Sequence, residues 1–168
     1  NVIPQHIEAL TSKLLEMGAD LDIGVDSITV RRAKSILKAT DITTRPYPGF
    51  ATDLQQPLTA LLTQADGVSQ VCDTVYPERF KHSLELQRMG ANIEISNGVS
   101  AITGPSRLYG DKVIATDLRC GACLIIAGLL ADGVTEVHDI YHIDRGYDRI
   151  DEKLRKIGAR IQRYVVED

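Results

Sequence analysis

A chain that repeats its own plan is restricted to folds built from stacked supersecondary units, and this sequence repeats itself. Glu8 to Ile23 (EALTSKLLEMGADLDI), Leu84 to Ile95 (LELQRMGANIEI) and Asp151 to Val166 (DEKLRKIGARIQRYVV) each read as amphipathic helix, then glycine, then strand. Gly18, Gly90 and Gly158 follow Met17, Met89 and Ile157 at nearly even intervals, where a helix ends in a left-handed residue that glycine adopts without a Cβ clash.

A second block precedes the last two of these stretches. It opens Ala51-Thr52-Asp53-Leu54 in one copy and Ala115-Thr116-Asp117-Leu118 in the other. Both copies continue through an apolar helical stretch into Ala-Asp-Gly-Val, then a β-rich run (VSQVCDTVY or VTEVHDIYHI), then Arg79 or Arg145. The complete unit is therefore strand, helix, strand, helix, strand, strand, a βαβαββ repeat. Its closing hairpin turns around Ser96-Asn97-Gly98 in the middle copy and Gly24-Val25-Asp26 in the first. Pro4 suits the first turn of a helix, and the segment from Thr43 to Gly49, broken by Pro46 and Pro48, is a loop leading to Phe50. Units divide the chain into 1–38 (partial), 39–105 (full) and 106–168 (nearly full), which together make one domain of about two and a half repeats. On this count the first copy lacks its leading strand, helix and strand. The third copy stops one strand into its final hairpin, so the chain is expected to be part of a longer protein.

Charge and cysteine content narrow the partners. The 19 Lys plus Arg against 23 Asp plus Glu leave a formal charge of −4, the opposite of a nucleic-acid or anionic-membrane binder, so any bound anion must be held by local groups. No apolar run approaches the roughly 18 residues that cross a bilayer, and the start has no secretory-signal pattern. Cys72, Cys120 and Cys123 are too few and odd in number for a stapled secreted module, so a cytoplasmic protein is expected. Cys120-Gly121-Ala122-Cys123 has C-x-x-C spacing, but no second ligand pair accompanies it and it opens an apolar helix, where cysteine packs as a small hydrophobe. His6, His82, His138 and His142 form no ligand pattern, and neither Gly-rich nucleotide fingerprint occurs. No metal and no cofactor are expected.

Four strings carry a family resemblance: TRPYPGFATDLQ, TVYPERFKHSLELQRMGA, ATDLRCGACLIIAGLLADG and YHIDRGYDRIDEKLRKIGA. In order and spacing they resemble signature segments of the UDP-N-acetylglucosamine enolpyruvyl transferases, along essentially the whole chain. The resemblance implies an inside-out α/β barrel-like (α+β) domain, helices inside and sheets outside, corresponding to the C-terminal part of a two-domain enzyme. It also implies the reaction, in which the enolpyruvyl group of phosphoenolpyruvate passes to the 3-hydroxyl of UDP-N-acetylglucosamine through a tetrahedral addition intermediate with release of phosphate. That is the first committed step of peptidoglycan synthesis. The family's reactive cysteine, on a mobile loop, and its N-terminal lysine lie in parts outside this chain, and none of the three cysteines matches the former. The implied partners are the two substrates and the remainder of the same enzyme, without which this chain is expected to be inactive.

On the residues alone, Asp53 and Asp117 each read as the cap of an apolar helix. The resemblance matches Asp53 to the aspartate that meets the sugar 3-hydroxyl and takes its proton, a step that needs a carboxylate within hydrogen-bond reach. It matches Arg119 and Arg145 to arginines that hold the carboxylate and phosphate of phosphoenolpyruvate, work suited to planar, permanently charged forks. On the residues alone Arg145, between Asp144 and Asp148, is a surface ion pair. Arg79 occupies the repeat position of Arg145 and is a third cleft candidate, and Asp117, two residues before Arg119, is a candidate partner for a guanidinium. The resemblance matches Val75 to a backbone contact for the sugar nucleotide, whereas on the residues alone it is a packed strand residue. The alternative to an enzyme is a non-catalytic, repeat-built binding or assembly module. The two readings separate on whether Asp53, Arg119 and Arg145 share one concave face.

Overall fold

A computed structural model describes residues 1–77 and 79–165. The middle unit carries the full predicted order. Strand β3 (Ile42–Thr43) leads to helix α2 (Thr52–Leu62), strand β4 (Gly67–Cys72), helix α3 (Lys81–Arg88) and the hairpin β5 (Asn92–Ser96) and β6 (Val99–Gly104). These strands form one sheet in the order β3-β4-β6-β5, with β3 parallel to β4 and the other pairs antiparallel. The hairpin turns through Asn97 (φ 52°) and Gly98 (φ 74°), the doubly left-handed turn whose twist matches that of the strands. Ser69 and Val71 of β4 and Ser100 and Ile102 of β6 face inward and are buried, while residues between them reach solvent, as a sheet with one covered face requires.

The first unit supplies a short 3-10 turn opened by Pro4, helix α1 (Glu8–Glu16) and the hairpin β1 (Asp20–Ile23) and β2 (Ile28–Arg31). The third supplies strand β7 (Lys112–Ile114), helix α4 (Leu118–Leu130), strand β8 (Glu136–His138) parallel to β7, and helices α5 (Tyr141–Asp144) and α6 (Ile150–Lys156). Gly18, Gly90 and Gly158 lie at φ 91°, 102° and 98°, so the helix-ending glycines of all three units adopt the left-handed conformation their position demands.

Two sequence expectations fail in the third unit. The β-rich reading of VTEVHDIYHI holds only for Glu136–His138, since Tyr141, His142 and Ile143 are helical. There Ile143 is buried against the α4 backbone, and a methyl added to Gly121 would collide with it. A helical turn that buries one large residue satisfies its own backbone hydrogen bonds, whereas a longer strand here would need a partner to pair with. Residues 159–165, expected as a strand, form none, because no described strand lies beside them to complete a ladder. Residues 166–168 of that expectation lie outside the described residues.

Helices occupy the interior. α4 is buried on every side from Cys120 to Ile125, and α2 buries Gln55, Gln56, Leu58, Thr59, Ala60 and Leu62. They run parallel, with Asp53 at the start of α2 touching Arg119 at the start of α4, and Ala60 beside Cys123 further along. The main core draws Met17 from the first unit, Leu62, Val71 and Ile102 from the second and Leu124 from the third. Burial raises the thiol pKa of both Cys120 and Cys123, so these cysteines pack as apolar groups. Replacing the fully buried Leu124 by alanine is expected to cost about 2–5 kcal/mol in urea denaturation, whereas Leu129→Ala, at 44% exposure on the same helix, costs under about 1 kcal/mol.

Candidate functional site

Because α2 and α4 are equivalent helices of successive units packed side by side, their N-termini emerge at the same end of the domain. Each leaves free backbone N–H groups and the positive end of its dipole there. At α4 this is answered internally: Asp117 is the N-cap, its carboxylate accepting from the backbone N–H groups of Arg119 at 2.8 Å and Cys120 at 3.2 Å. At α2 it is not. Ala51 is the cap residue, with no side-chain bond, and Asp53 sits one residue inside the first turn. Instead, Asp53 Oδ1 accepts from Arg119 Nε at 2.5 Å. The capping reading thus holds for Asp117 and not for Asp53. With 65% of the Asp53 side chain and 26% of Arg119 exposed, the pair contributes no more than about 1 kcal/mol and is open to exchange of partners.

Beside this pair lies a cleft of about 640 Å³, a size suited to a small organic ligand, walled by Val75, Tyr76, Arg79, Lys81, Asp117 and the buried Gln56. Its loop is held from below by Asp73, only 1% exposed. One oxygen of Asp73 accepts from the Thr44 hydroxyl and from the N–H groups of Val75 and Tyr76, and the other from the Thr52 hydroxyl at the head of α2. Burial pushes the Asp73 carboxyl up, but these hydrogen bonds outweigh it and hold the group below the usual carboxylate range. Arg79 lies 3.7 Å over the Tyr76 ring and donates to the Thr52 hydroxyl at 3.3 Å.

Five of the six sequence candidates therefore gather at one end of the parallel helix pair. Val75, Arg79 and Asp117 line the cleft, and Asp53 and Arg119 form the ion pair at its side. Val75 is 38% exposed with its N–H turned onto Asp73, so the purely packed reading of that residue fails. Arg145 caps the C-terminus of α5, beside Gly146, which packs on Leu118 of α4. Its segment borders the ion pair, since Tyr147, raised mainly by burial, also feels the charges of Asp53 and Arg119. Arg145 makes no hydrogen bond or ion pair with the other five. The surface pairs expected for it do not form either, because Asp144 binds Arg163 through both oxygens and Asp148 meets Arg149 and Lys153.

Sequence reasoning missed Asp73, Thr52 and Tyr76. An acidic residue ending an apolar strand was a usable signal for Asp73, since such a group must find donors. His82, on α3, is fully buried, and neither ring nitrogen has a partner among the described residues. Burial lowers its pKa to about 4, with the nearby Asp117 charge opposing. Among the described residues no helix is long and apolar enough to cross a membrane.

A family model described as EPSP synthase (3-phosphoshikimate 1-carboxyvinyltransferase) matches residues 1–154. The chain is 56% identical to the UDP-N-acetylglucosamine 1-carboxyvinyltransferase 2 of Listeria monocytogenes over 97% of its own length and 38% of that protein's. It is 53% identical to the protein of the same name from Bacillus subtilis over all of its length and 39% of that protein's. The chain thus spans well under half of these relatives. Among solved structures, the enolpyruvyl transferase NikO from Streptomyces tendae superposes with a TM-score of 0.84 at 30% identity, covering 91% of this chain and 35% of that one. EPSP synthase from Acinetobacter baumannii, at 17% identity and a TM-score of 0.67 over 94% of this chain and 37% of that one, shares the fold.

The neutral imidazole of His82 has a pH consequence. The unfolded chain binds a proton at this side chain near pH 6.5 and the folded protein only near pH 4, so its stabilising contribution is complete above pH 6.5 and lost as pH falls through that window. The loss approaches about 3 kcal/mol. Denaturation curves at pH 7 and pH 4 are expected to differ less in His82→Gln than in the wild type.

Proposed function

Because the chain belongs to the EPSP synthase (3-phosphoshikimate 1-carboxyvinyltransferase) family, we propose that it forms the C-terminal part of a UDP-N-acetylglucosamine 1-carboxyvinyltransferase. The supporting observation is the contact of Asp53 with Arg119 where two helix N-termini meet beside a cleft. It joins a proton acceptor and an anion-binding fork where the N-terminal ends of two helix dipoles meet. The whole protein transfers the enolpyruvyl group of phosphoenolpyruvate to the sugar 3-hydroxyl of UDP-N-acetylglucosamine, in peptidoglycan synthesis.

In this reading the sugar oxygen bonds to C2 of phosphoenolpyruvate while C3 gains a proton, giving a tetrahedral adduct. Loss of phosphate and of one methyl proton then restores the double bond. Asp53 accepts the hydroxyl proton through Oδ2, the oxygen that Arg119 does not engage. Arg119, through its Nη groups, and Arg145, which has no ion pair with its neighbouring aspartates, bind the phosphate and carboxylate oxygens. Arg79 presents a third guanidinium from the cleft wall. Asp117 holds the first turn of α4 in place so that Arg119 points outward, and the Val75 loop meets the sugar nucleotide. The rest of the enzyme, carrying the reactive-cysteine loop, supplies the facing half of the site. We also take the chain as one domain, with unit boundaries near residues 38 and 105, acting in the cytoplasm.

Phosphate release by the full-length protein containing this chain tests the proposal. Asp53→Asn is expected to lower kcat by roughly 100-fold or more, and Arg119→Ala to raise the KM for phosphoenolpyruvate with a smaller change for the sugar nucleotide. Wild-type activity in both variants would remove Asp53 and Arg119 from the mechanism. A wild-type protein that releases no phosphate would leave the binding-module alternative.

A further inference from the structure

We propose that Asp73 is a positioning residue for the cleft, orienting the Arg79 guanidinium through the Thr52 hydroxyl and through Tyr76. It rests on the reading of Arg79 as a substrate-facing residue.

An ionised carboxylate only accepts hydrogen bonds, so the single proton of the Thr52 hydroxyl is committed to Asp73 Oδ2, at 2.6 Å. The lone pairs of that hydroxyl are then turned away from Asp73, and one receives Arg79 Nη1 at 3.3 Å. The guanidinium also lies over the Tyr76 ring, and the backbone N–H of Tyr76 donates to Asp73 Oδ1 at 2.8 Å. Both anchors of the guanidinium therefore lead back to one carboxylate. That carboxylate is itself fixed by the Thr44 hydroxyl at 2.7 Å, and Thr74, next in sequence, closes on Thr44 through both its N–H and its hydroxyl. Thr52 also opens α2 directly before Asp53, so the relay sets the azimuth of the helix turn that carries the proton acceptor. A flexible arginine at the edge of a cleft needs such fixing, because a guanidinium displaced by about 1 Å loses bidentate geometry with an anion.

The test uses the full-length protein with Asp73→Asn, Thr52→Val, Thr52→Ser and the Asp73→Asn/Thr52→Val double variant. Asparagine keeps an acceptor for the 75–76 loop but offers Thr52 an N–H, which breaks the relay at its first step, and valine removes the hydroxyl at constant shape. Both single variants are expected to raise the KM for phosphoenolpyruvate roughly 10- to 100-fold, and the double variant to be no worse than the weaker single one, as for two steps of one relay. Thr52→Ser, which keeps the hydroxyl, should restore the wild-type KM. A merely structural role would lower kcat with the folded fraction and leave KM unchanged, and that outcome, or effects that multiply in the double variant, overturns the proposal. If Asp73→Asn does not fold, the Thr52→Val and Thr52→Ser pair decides alone. If the wild-type protein transfers no enolpyruvyl group, the functional reading fails separately. The relay is then judged by the Nη1–H resonance of Arg79, expected to be shifted and exchange-protected in the wild type and to move to the free-arginine position in Thr52→Val, an unchanged resonance overturning it.

Discussion

Everything at the candidate site follows from two buried helices that lie parallel and begin at the same level. Like dipole ends repel, and eight N–H groups without helical partners would converge at one edge of the domain. The protein answers this with carboxylates at two depths. Asp117 sits on the axis of α4 as a cap, and Asp53 sits on the flank of α2, where it faces Arg119 across the junction. Asp73, a layer deeper, gathers the loop that follows β4 and the first residue of α2 onto one side chain. The negative charge that answers the helix N-termini thus lies beside the cleft it helps to organise. Site and fold share a cause.

The repeat was legible because it is written in residues with narrow backbone preferences. Glycine after each helix and Asn97-Gly98 in the hairpin leave few conformations open, and those positions fell as expected. The middle unit, bounded by such signals at each joint, has the expected order of elements, although its β-rich run VSQVCDTVY is strand only to Cys72. The third unit was misread where such signals were absent. Apolar residues of VTEVHDIYHI suit a strand or a buried turn of helix equally, and the choice was made by Gly121, whose missing side chain opens a seat for Ile143 on α4. That pairing is tertiary and has no local signature.

The site was legible to a similar degree, and for a related reason. Asp53 and Asp117 occupy identical positions in their repeats, and nothing local says which caps and which does not. The difference arises because α4 places an arginine two residues after Asp117 and directs it at the neighbouring unit, while the corresponding residue of α2, Gln55, is buried. Equivalence in sequence therefore concealed a difference that appears only when the two units are set side by side. Asp73 was overlooked because its partners come from three separate segments, Thr44, Thr52 and residues 75–76, that no spacing rule connects.

The contact of Asp53 with Arg119 also gives the domain a resident counter-ion. An anion arriving at Arg119 would not meet an empty cation but one whose Nε–H already serves Asp53 Oδ1, with that carboxylate left facing the newcomer. Added salt would weaken the internal pair as well as the incoming one, and the two effects would offset each other. A −4 domain can in this way keep an arginine ready at its surface without attracting every phosphate in solution. Selectivity would then lie in whether the anion arrives together with a second molecule whose hydroxyl meets the carboxylate beside it.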